Sequence, residues 1–384
     1  MSKVKLGDVV ERVKEFVDKD NTDLTFYIGG EHFESRSLTI KNRGYINGST
    51  IGPAFHHRFR KGDVLLMSRN PHLRKAGMVD FDGICSDVSY VIRTKDENVI
   101  MQKFIPLLFQ CDTFWEFAEK NKKGSTNFFL NWSDFEKFEF DLPAIEKQKK
   151  IVDVLWSIDN TIDTYNNVIK ASDELVKSQF IEMFGEIGKD EKGWGLTTLG
   201  KCCELNPKRP KDIDDKVMVS FVPMPAVSDN GKIDCSEIKP YRDVRKGFTY
   251  FAENDVIFAK ITPCMENGKG AIARGLAGGI GSGSTEFHIL RPIIGKSNPY
   301  WLYVITKFKG FRDGAKKVMT GTGGQLRVPI GFLRDYPVSL PPIELQNDFE
   351  KFVQQVDKSK FYIEKLIQMQ ITIWQKGGKI YANI

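Results

Sequence analysis

Four polar loops carry the side chains best suited to chemistry. Ser68-Arg69-Asn70-Pro71-His72-Leu73-Arg74-Lys75 follows the apolar run Asp63 to Met67, and Lys260-Ile261-Thr262-Pro263-Cys264-Met265-Glu266-Asn267-Gly268-Lys269 follows the run Asp255 to Ala259. Arg69, Arg74, Lys75, Lys260 and Lys269 supply cations for phosphates. Asn70, His72, Thr262 and Asn267 offer the polar groups that read base edges, because forked guanidinium and amide groups pair with guanine and adenine. The other two loops are Lys122-Lys123-Gly124-Ser125-Thr126-Asn127 and Lys316-Lys317-Val318-Met319-Thr320-Gly321-Thr322-Gly323-Gly324-Gln325-Leu326-Arg327. There, lysines beside small residues let a backbone approach a phosphate. Lys123, Ser125, Thr126, Asn127, Lys317, Thr322, Gln325 and Arg327 complete the candidate DNA-binding set. A solvated polar loop or a flexible hinge would use the same residue types.

The parts of a catalytic centre are missing from view. There is no G-x-x-x-x-G-K-[ST] loop, and the glycine cluster Gly275 to Gly283 precedes a strand-like run instead of following one, so it reads as a loop or turn. Asn298-Pro299-Tyr300 lacks the second proline of the adenine-methyltransferase motif and reads as a helix start. The five histidines form no H-E-x-x-H or triad pattern. Cys85, Cys111, Cys202, Cys203, Cys235 and Cys264 show no zinc spacing and read as reduced thiols, so no metal site is expected. The mixed-charge N-terminus and the lack of an eighteen-residue apolar run predict a cytoplasmic protein without a membrane span.

The elements that must position these loops occur twice. Leu142-Pro143-Ala144-Ile145-Glu146-Lys147-Gln148 recurs as Leu340-Pro341-Pro342-Ile343-Glu344-Leu345-Gln346, and Leu6-Gly7 as Leu199-Gly200. Phe59 to Leu65 matches Phe251 to Ile257, Val91-Ile92-Arg93 matches Ile289-Leu290-Arg291, and Gly124-Ser125-Thr126 matches Gly321 to Gly324. The order is kept and the offsets run from about 192 to 198 residues, which a tandem duplication explains and chance does not. Strand-like runs at Asp63–Met67, Val88–Ile92, Val217–Val222 and Asp255–Ala259 predict mixed α/β blocks. Asn98 to Glu119 and Tyr300 to Gly314 read as helices.

Each block ends in a long helix. Ala144 to Phe184 and Ile343 to Lys376 contain neither Gly nor Pro, although the chain has 33 glycines and 16 prolines. Gly185 and Gly377 stand where stop signals belong. Ile151, Leu155, Ile158, Ile162, Tyr165, Ile169 and Val176 step by threes and fours with the polar Ser172 interrupting once, as do Phe349, Phe352, Val356, Ile363, Leu366 and Ile373 with gaps at Ser359 and Gln370. Lengths of about 60 and 50 Å follow from the rise per residue. The expected fold is two α/β target-recognition domains separated by an antiparallel two-helix coiled coil with pseudo-twofold symmetry. Two separate domains with their own helices are the alternative. The divisions are 1–141, 142–184, 185–339, 340–376 and a tail at 377–384. Charge is uneven: 1–141 has no excess, 142–184 carries −2, 185–339 carries +7 from 24 basic and 17 acidic residues, and 340–384 carries +1.

With its twice-used Leu-Pro-x-Ile-Glu-x-Gln helix opening after a Gly-Ser/Thr loop, the chain resembles the specificity subunits of type I restriction-modification systems. That resemblance implies double-stranded DNA as a partner, with each domain reading half of a split, asymmetric site. It also implies two modification (methyltransferase) subunits and restriction subunits docked on the helices. N6-adenine methylation with S-adenosylmethionine, and ATP- and Mg-dependent cleavage, would belong to those partners, with no cofactor on this chain. The second helix is shorter than the first in this reading, and half-sites one to two duplex turns apart are expected. A self-contained methyltransferase or nuclease, and a coiled-coil protein scaffold, are the competing functions.

Overall fold

The computed structural model describes residues 2–382, with side chains from 3 to 374. The first repeat contains β1 (Ser2–Lys5), α1 (Leu6–Val9), β2 (Val10–Val13), β3 (Phe26–Ile28), β4 (Gly44–Tyr45), β5 (Phe55–Phe59), β6 (Val64–Met67) and β7 (Ala76–Met78). It continues through β8 (Gly83–Ser86), β9 (Ser89–Thr94), α2 (Ile105–Leu108), α3 (Asp112–Asn121), α4 (Trp132–Phe135), β10 (Glu139–Leu142) and α5 (Ile145–Phe184). The second repeat contains β11 (Leu196–Thr198), α6 (Leu199–Cys202), β12 (Cys203–Leu205), β13 (Met218–Val222), β14 (Ile238–Pro240), α7 (Tyr241–Val244), β15 (Thr249–Ala252), β16 (Val256–Ala259) and β17 (Gly270–Ile272). Then follow β18 (Ile280–Gly283), β19 (Phe287–Pro292), α8 (Pro299–Lys307), α9 (Lys309–Lys317), β20 (Thr320–Thr322), β21 (Gln325–Arg327), α10 (Ile330–Asp335), β22 (Pro337–Ser339) and α11 (Ile343–Ala382).

Strand pairing repeats strand for strand. The order β2-β9-β6-β7 returns as β12-β19-β16-β17, and β4-β3-β8-β5 returns as β14-β13-β18-β15. The pairs β3·β8 and β13·β18 are parallel and the others antiparallel, so the mixed sheet expected from sequence is present in both repeats. Central strands show why the apolar runs were needed. Val64 and Leu66 face one core, which also contains Phe114 and Trp115, while Leu65 faces another with Phe59 and Cys85. Val256 and Phe258, against Ile257 and Ala259, divide in the same way. A strand with alternate residues in two cores must be apolar at every position.

Polar residues inside the frame are duplicated as well. Arg93 grips Asp63 through Nε and Nη2 at 2.5 and 2.9 Å, and Arg291 grips Asp255 in the same way at 2.8 and 2.7 Å. The same aspartates accept from Arg60 N and Ala252 N, each at 2.7 Å, closing the turn into the central strand. A glycine sits beneath the ring of Phe59 or Phe251: a Cβ on Gly83 or Gly281 would come within 2.6 or 2.0 Å of it. Gly281 and Gly283 therefore belong to strand β18, which corrects the reading of Gly275 to Gly283 as loop or turn throughout.

The motif glutamines lock each long helix to its own domain. Gln148 is fully buried, donates to Val99 O and Pro143 O at 2.8 Å each, and accepts from Met101 N at 3.0 Å. Gln346 repeats this with Lys296 O, Pro341 O and Asn298 N at 3.0, 2.8 and 2.9 Å. Asn298 caps α8 by accepting from Tyr300 N, with Pro299 in the first turn, as the helix-start reading expected. The Asn98–Glu119 segment is not one helix but α2 and α3, with Pro106 in the first turn of α2 and a break before Asp112.

By contact the chain divides into 1–167 with 364–384, and 168–363, so each unit takes part of both long helices. In the first unit Ile151, Leu155 and Ile158 enter the core, with Ile162 and Trp374 partly buried against it. In the second, Phe349 packs on Phe180 and Phe184 with ring centres 5.5 and 5.3 Å away, Val176 and Phe352 flank them, and Lys360 pairs with Asp173 at 2.6 Å. Ile169, Val356 and Ile363 are half-buried. Leu366 and Ile373 are 38 and 46 % exposed and are not seam residues. The spacing passes through Lys360, whose place in the seam the apolar pattern stepped over, and continues to Ile367. Both helices have 40 residues, so the second is not shorter. Gly185, at φ +80°, ends α5 with its N–H on Ile181 O, whereas α11 runs through Gly377 to Ala382.

Candidate nucleic-acid interface

The four polar loops are two sites. In the first repeat Asn70 N donates to Phe128 O at 2.8 Å and Leu130 N to Ser68 O at 2.9 Å, which joins the 68–75 loop to the 122–130 loop. In the second, Thr262 N donates to Leu326 O and Val328 N to Lys260 O, each at 2.9 Å. The partners correspond at the repeat offsets of 192 and 198, so the junction is duplicated bond for bond. Each second loop doubles back on itself through a glycine. A Cβ on Gly124 (φ +97°) would lie 2.5 Å from Asn127 O, and one on Gly321 (φ +146°) 2.3 Å from Gln325 O. In the second repeat this becomes the hairpin β20–β21, turned by Gly323 and Gly324 at φ +62° and +77°. Sequence suggested only a small-residue loop there.

Side chains presented by the two junctions differ. In the first, Arg69, His72, Lys123, Ser125, Thr126 and Asn127 are exposed and make no side-chain hydrogen bond or ion pair among the described residues, and Asn70 is half-buried with φ +52°. In the second, Asn267, Lys317, Thr322 and Gln325 are exposed and equally free among the described residues. Five further candidates, Arg74, Lys75, Thr262, Lys269 and Arg327, hold the protein together. Arg74 and Arg36 both pair with Asp112. Lys75 Nζ donates to Gly30 O at 2.7 Å, and Lys269 Nζ to Met224 O at 3.4 Å. Thr262 Oγ1 donates to Gly324 O at 2.8 Å and accepts from Leu326 N at 3.0 Å, stitching the hairpin to its neighbour. Arg327 grips Glu286 through Nε and Nη2 at 2.9 and 2.8 Å.

These pairings narrow the electrostatic difference that segment charge suggested. Although residues 185–339 carry the basic excess, Glu286 and Glu266 occupy Arg327 and Lys316. Burial lowers the Lys260 pKa, with Glu286 opposing and Arg327 adding to the effect. Hydrogen bonding to Arg327 holds the Glu286 carboxyl below its ordinary range, against burial. Among the described residues, Arg69 and Lys123 at the first junction carry cations without an ion pair, as do the half-buried Lys260 and the exposed Lys317 at the second. Asp112 and Glu286 were invisible as partners because each lies about 40 residues from the cation it neutralises. Among the described residues no His, Cys, Asp and Glu group is placed to hold a metal ion, and no helix is long and apolar enough to cross a membrane.

Comparison with known proteins gives this geometry a context. The family model described as type I restriction modification DNA specificity domain matches residues 1–171 and again 191–372. The chain is 39 % identical over 194 residues to the type I restriction enzyme EcoEI specificity subunit of Escherichia coli, an alignment covering 48 % of this chain and 32 % of that one. It is 39 % identical over 211 residues to the EcoAI specificity subunit of Escherichia coli, covering 52 and 35 %. The alignments thus span about a third of each relative's length. A solved type I restriction-modification S subunit from M. genitalium shares the fold with a TM-score of 0.57 and 14 % identity, over 98 % of this chain and 95 % of that one.

Proposed function

Because the chain belongs to the type I restriction-modification DNA specificity family, we propose that it reads DNA for a multi-subunit complex, each repeat recognising half of a bipartite, asymmetric site. One observation carries the reading: an identical main-chain junction in both repeats presents different exposed side chains, Arg69, His72, Lys123 and Asn127 in one and Lys317, Thr322 and Gln325 in the other. A common frame with unlike readers is what an asymmetric split site requires. Residues 1–141 and 185–339 are the two target-recognition domains in this reading, and 142–184 and 340–376 are the helices that dock modification and restriction subunits. S-adenosylmethionine, ATP and Mg act on those partners, in the cytoplasm, and this chain performs no chemistry itself.

The test is co-expression with the cognate modification subunit, followed by genome-wide mapping of methylated adenine. A split, asymmetric motif is expected; the absence of any new motif overturns the proposal. Matched heptad insertions in α5 and α11 should alter the number of base pairs between the half-sites and leave their sequences unchanged. Methyl transfer by the purified chain alone would instead establish an enzyme.

A further inference from the structure

The loop junction has an anchor on the strand beneath it, and the two repeats build that anchor from different chemistry. Tyr90 Oη donates to Leu130 O at 2.7 Å, and His288 Nε2 donates to Val328 O at 2.8 Å. Tyr90 and His288 are 198 residues apart, as are Leu130 and Val328, and all four are buried. Leu130 and Val328 are the residues whose N–H groups close the junction onto Ser68 O and Lys260 O. Each is therefore held at its N–H by the neighbouring loop and at its C=O by the strand below.

We propose that Tyr90 and His288 are positioning residues for base reading, and that the histidine makes the second repeat's reading acid-sensitive in a way the tyrosine does not impose on the first. The inference rests on the DNA-reading function proposed above.

The hydrogen bonds fix the imidazole as neutral with its proton on Nε2, because the Val328 carbonyl can only accept. Nδ1 faces Asn206 Nδ2 at 3.2 Å, and Asn206 Oδ1 accepts from Ile289 N at 2.9 Å, so that amide cannot turn round. A second proton on Nδ1 would meet an N–H donor in a buried site. The charged groups facing the ring are Lys260, which follows β16, and Glu286, which precedes β19 and is gripped by Arg327. Burial holds the imidazole pKa below the ordinary 6.5; the Val328 carbonyl opposes this, Lys260 adds to it and Glu286 opposes it. A protonated ring would still donate from Nε2, but its new Nδ1 proton would oppose the fixed Asn206 N–H and unseat the ring. With a folded pKa below the unfolded one, the anchor's stability is complete above 6.5 and is lost as pH falls through the lowered folded value. Burial moves the Tyr90 hydroxyl up from 10, so it remains a donor across the same range. His57, the buried imidazole of the first repeat, donates to neither loop among the described residues.

The full chain with its modification partner is incubated with a randomised duplex pool at pH 7.5 and at the lower pH where NMR shows the His288 ring protonated, and the bound DNA is sequenced. Wild type should lose about fivefold in base preference at one half-site once the ring protonates, the cost of one unmet buried donor at Asn206. His288→Gln, whose side-chain amide donates without titrating, should keep that preference at both pH values. Tyr90→Phe should weaken the other half-site about fivefold at both. Hydrogen exchange, corrected for intrinsic rate, provides a readout independent of DNA: acid should strip protection from the Val328 amide in wild type but not in His288→Gln. Equal acid loss at both half-sites, or a His288→Gln profile like wild type, overturns the inference while a split motif keeps the DNA reading intact. If wild type yields no split motif at pH 7.5, the DNA reading fails and the inference with it.

Discussion

Replacing Gln346 with alanine tests whether the motif glutamine is a lock or merely a common helix-start residue. The side chain is fully buried and makes three hydrogen bonds, to Lys296 O at 3.0 Å, Pro341 O at 2.8 Å and from Asn298 N at 2.9 Å. Alanine leaves two carbonyls and one amide unpaired. At about 1 kcal/mol each, the low end for a buried orphan because water can partly enter, the cost is about 3 kcal/mol. For a unit of this size that lowers the melting midpoint by about 6–12 °C. Circular dichroism at the helical minimum and calorimetry would read it. Gln148→Ala, with the same three bonds, should cost a similar amount. Gln346→Glu separates hydrogen bonding from packing: it should cost more than alanine at pH 8, since both carbonyls then face a buried carboxylate, and recover in acid as a protonated carboxyl donates to one of them. A loss below about 1 kcal/mol in either alanine variant would refute the lock, because even a single unmet buried group costs that much.

Other outcomes follow from the same pairings. Asp255→Asn should cost about 2–4 kcal/mol in urea unfolding, and Asp63→Asn less, because Arg93 keeps Glu15 at 3.1 Å whereas Arg291 has no second carboxylate partner among the described residues. Arg69→Ala and Lys123→Ala should each reduce the logarithmic salt dependence of DNA binding by about one, while Arg74→Ala, whose cation is already paired, should leave the slope nearly unchanged. Native protein at pH 8 should label slowly with a thiol reagent at Cys202 and Cys203, whose thiols burial pushes up to about 11 and about 12, and quickly after denaturation.

What could be read from the sequence was whatever depends on residue type repeated at a fixed offset. The Asp63 and Asp255 turns, the central strands and the Leu-Pro motif all announced themselves, because burial on two sides and buried pairing demand the same residue types twice. Features set by tertiary partners did not. Lys360 occupies the seam because Asp173 neutralises it, and an apolar pattern stepped past it to Ile363 and then the exposed Leu366. Arg74, Lys75 and Arg327 looked like free cations because Asp112, the Gly30 carbonyl and Glu286 come from elsewhere in the chain. Tyr90 and His288 do one task with different side chains, so matching by identity passed over both. The junction itself was hidden because main-chain hydrogen bonds leave no residue signature.

That last property has an evolutionary consequence. Both ends of each exposed loop are fastened through peptide groups, which every residue except proline can supply in full, so apart from the turn glycines folding places little demand on the side chains between them. Substitutions at Ser125, Thr126 or Asn127, and at Thr322 or Gln325, are thereby nearly free of a stability penalty. New specificities can be sampled without passing through unfolded ancestors. The two loops also differ by one residue between paired ends, Lys123 facing Phe129 and Thr320 facing Arg327, while the junction bonds around them match. Recombination between the two halves of one gene, or between two such genes, could exchange readers in frame and leave the scaffold intact.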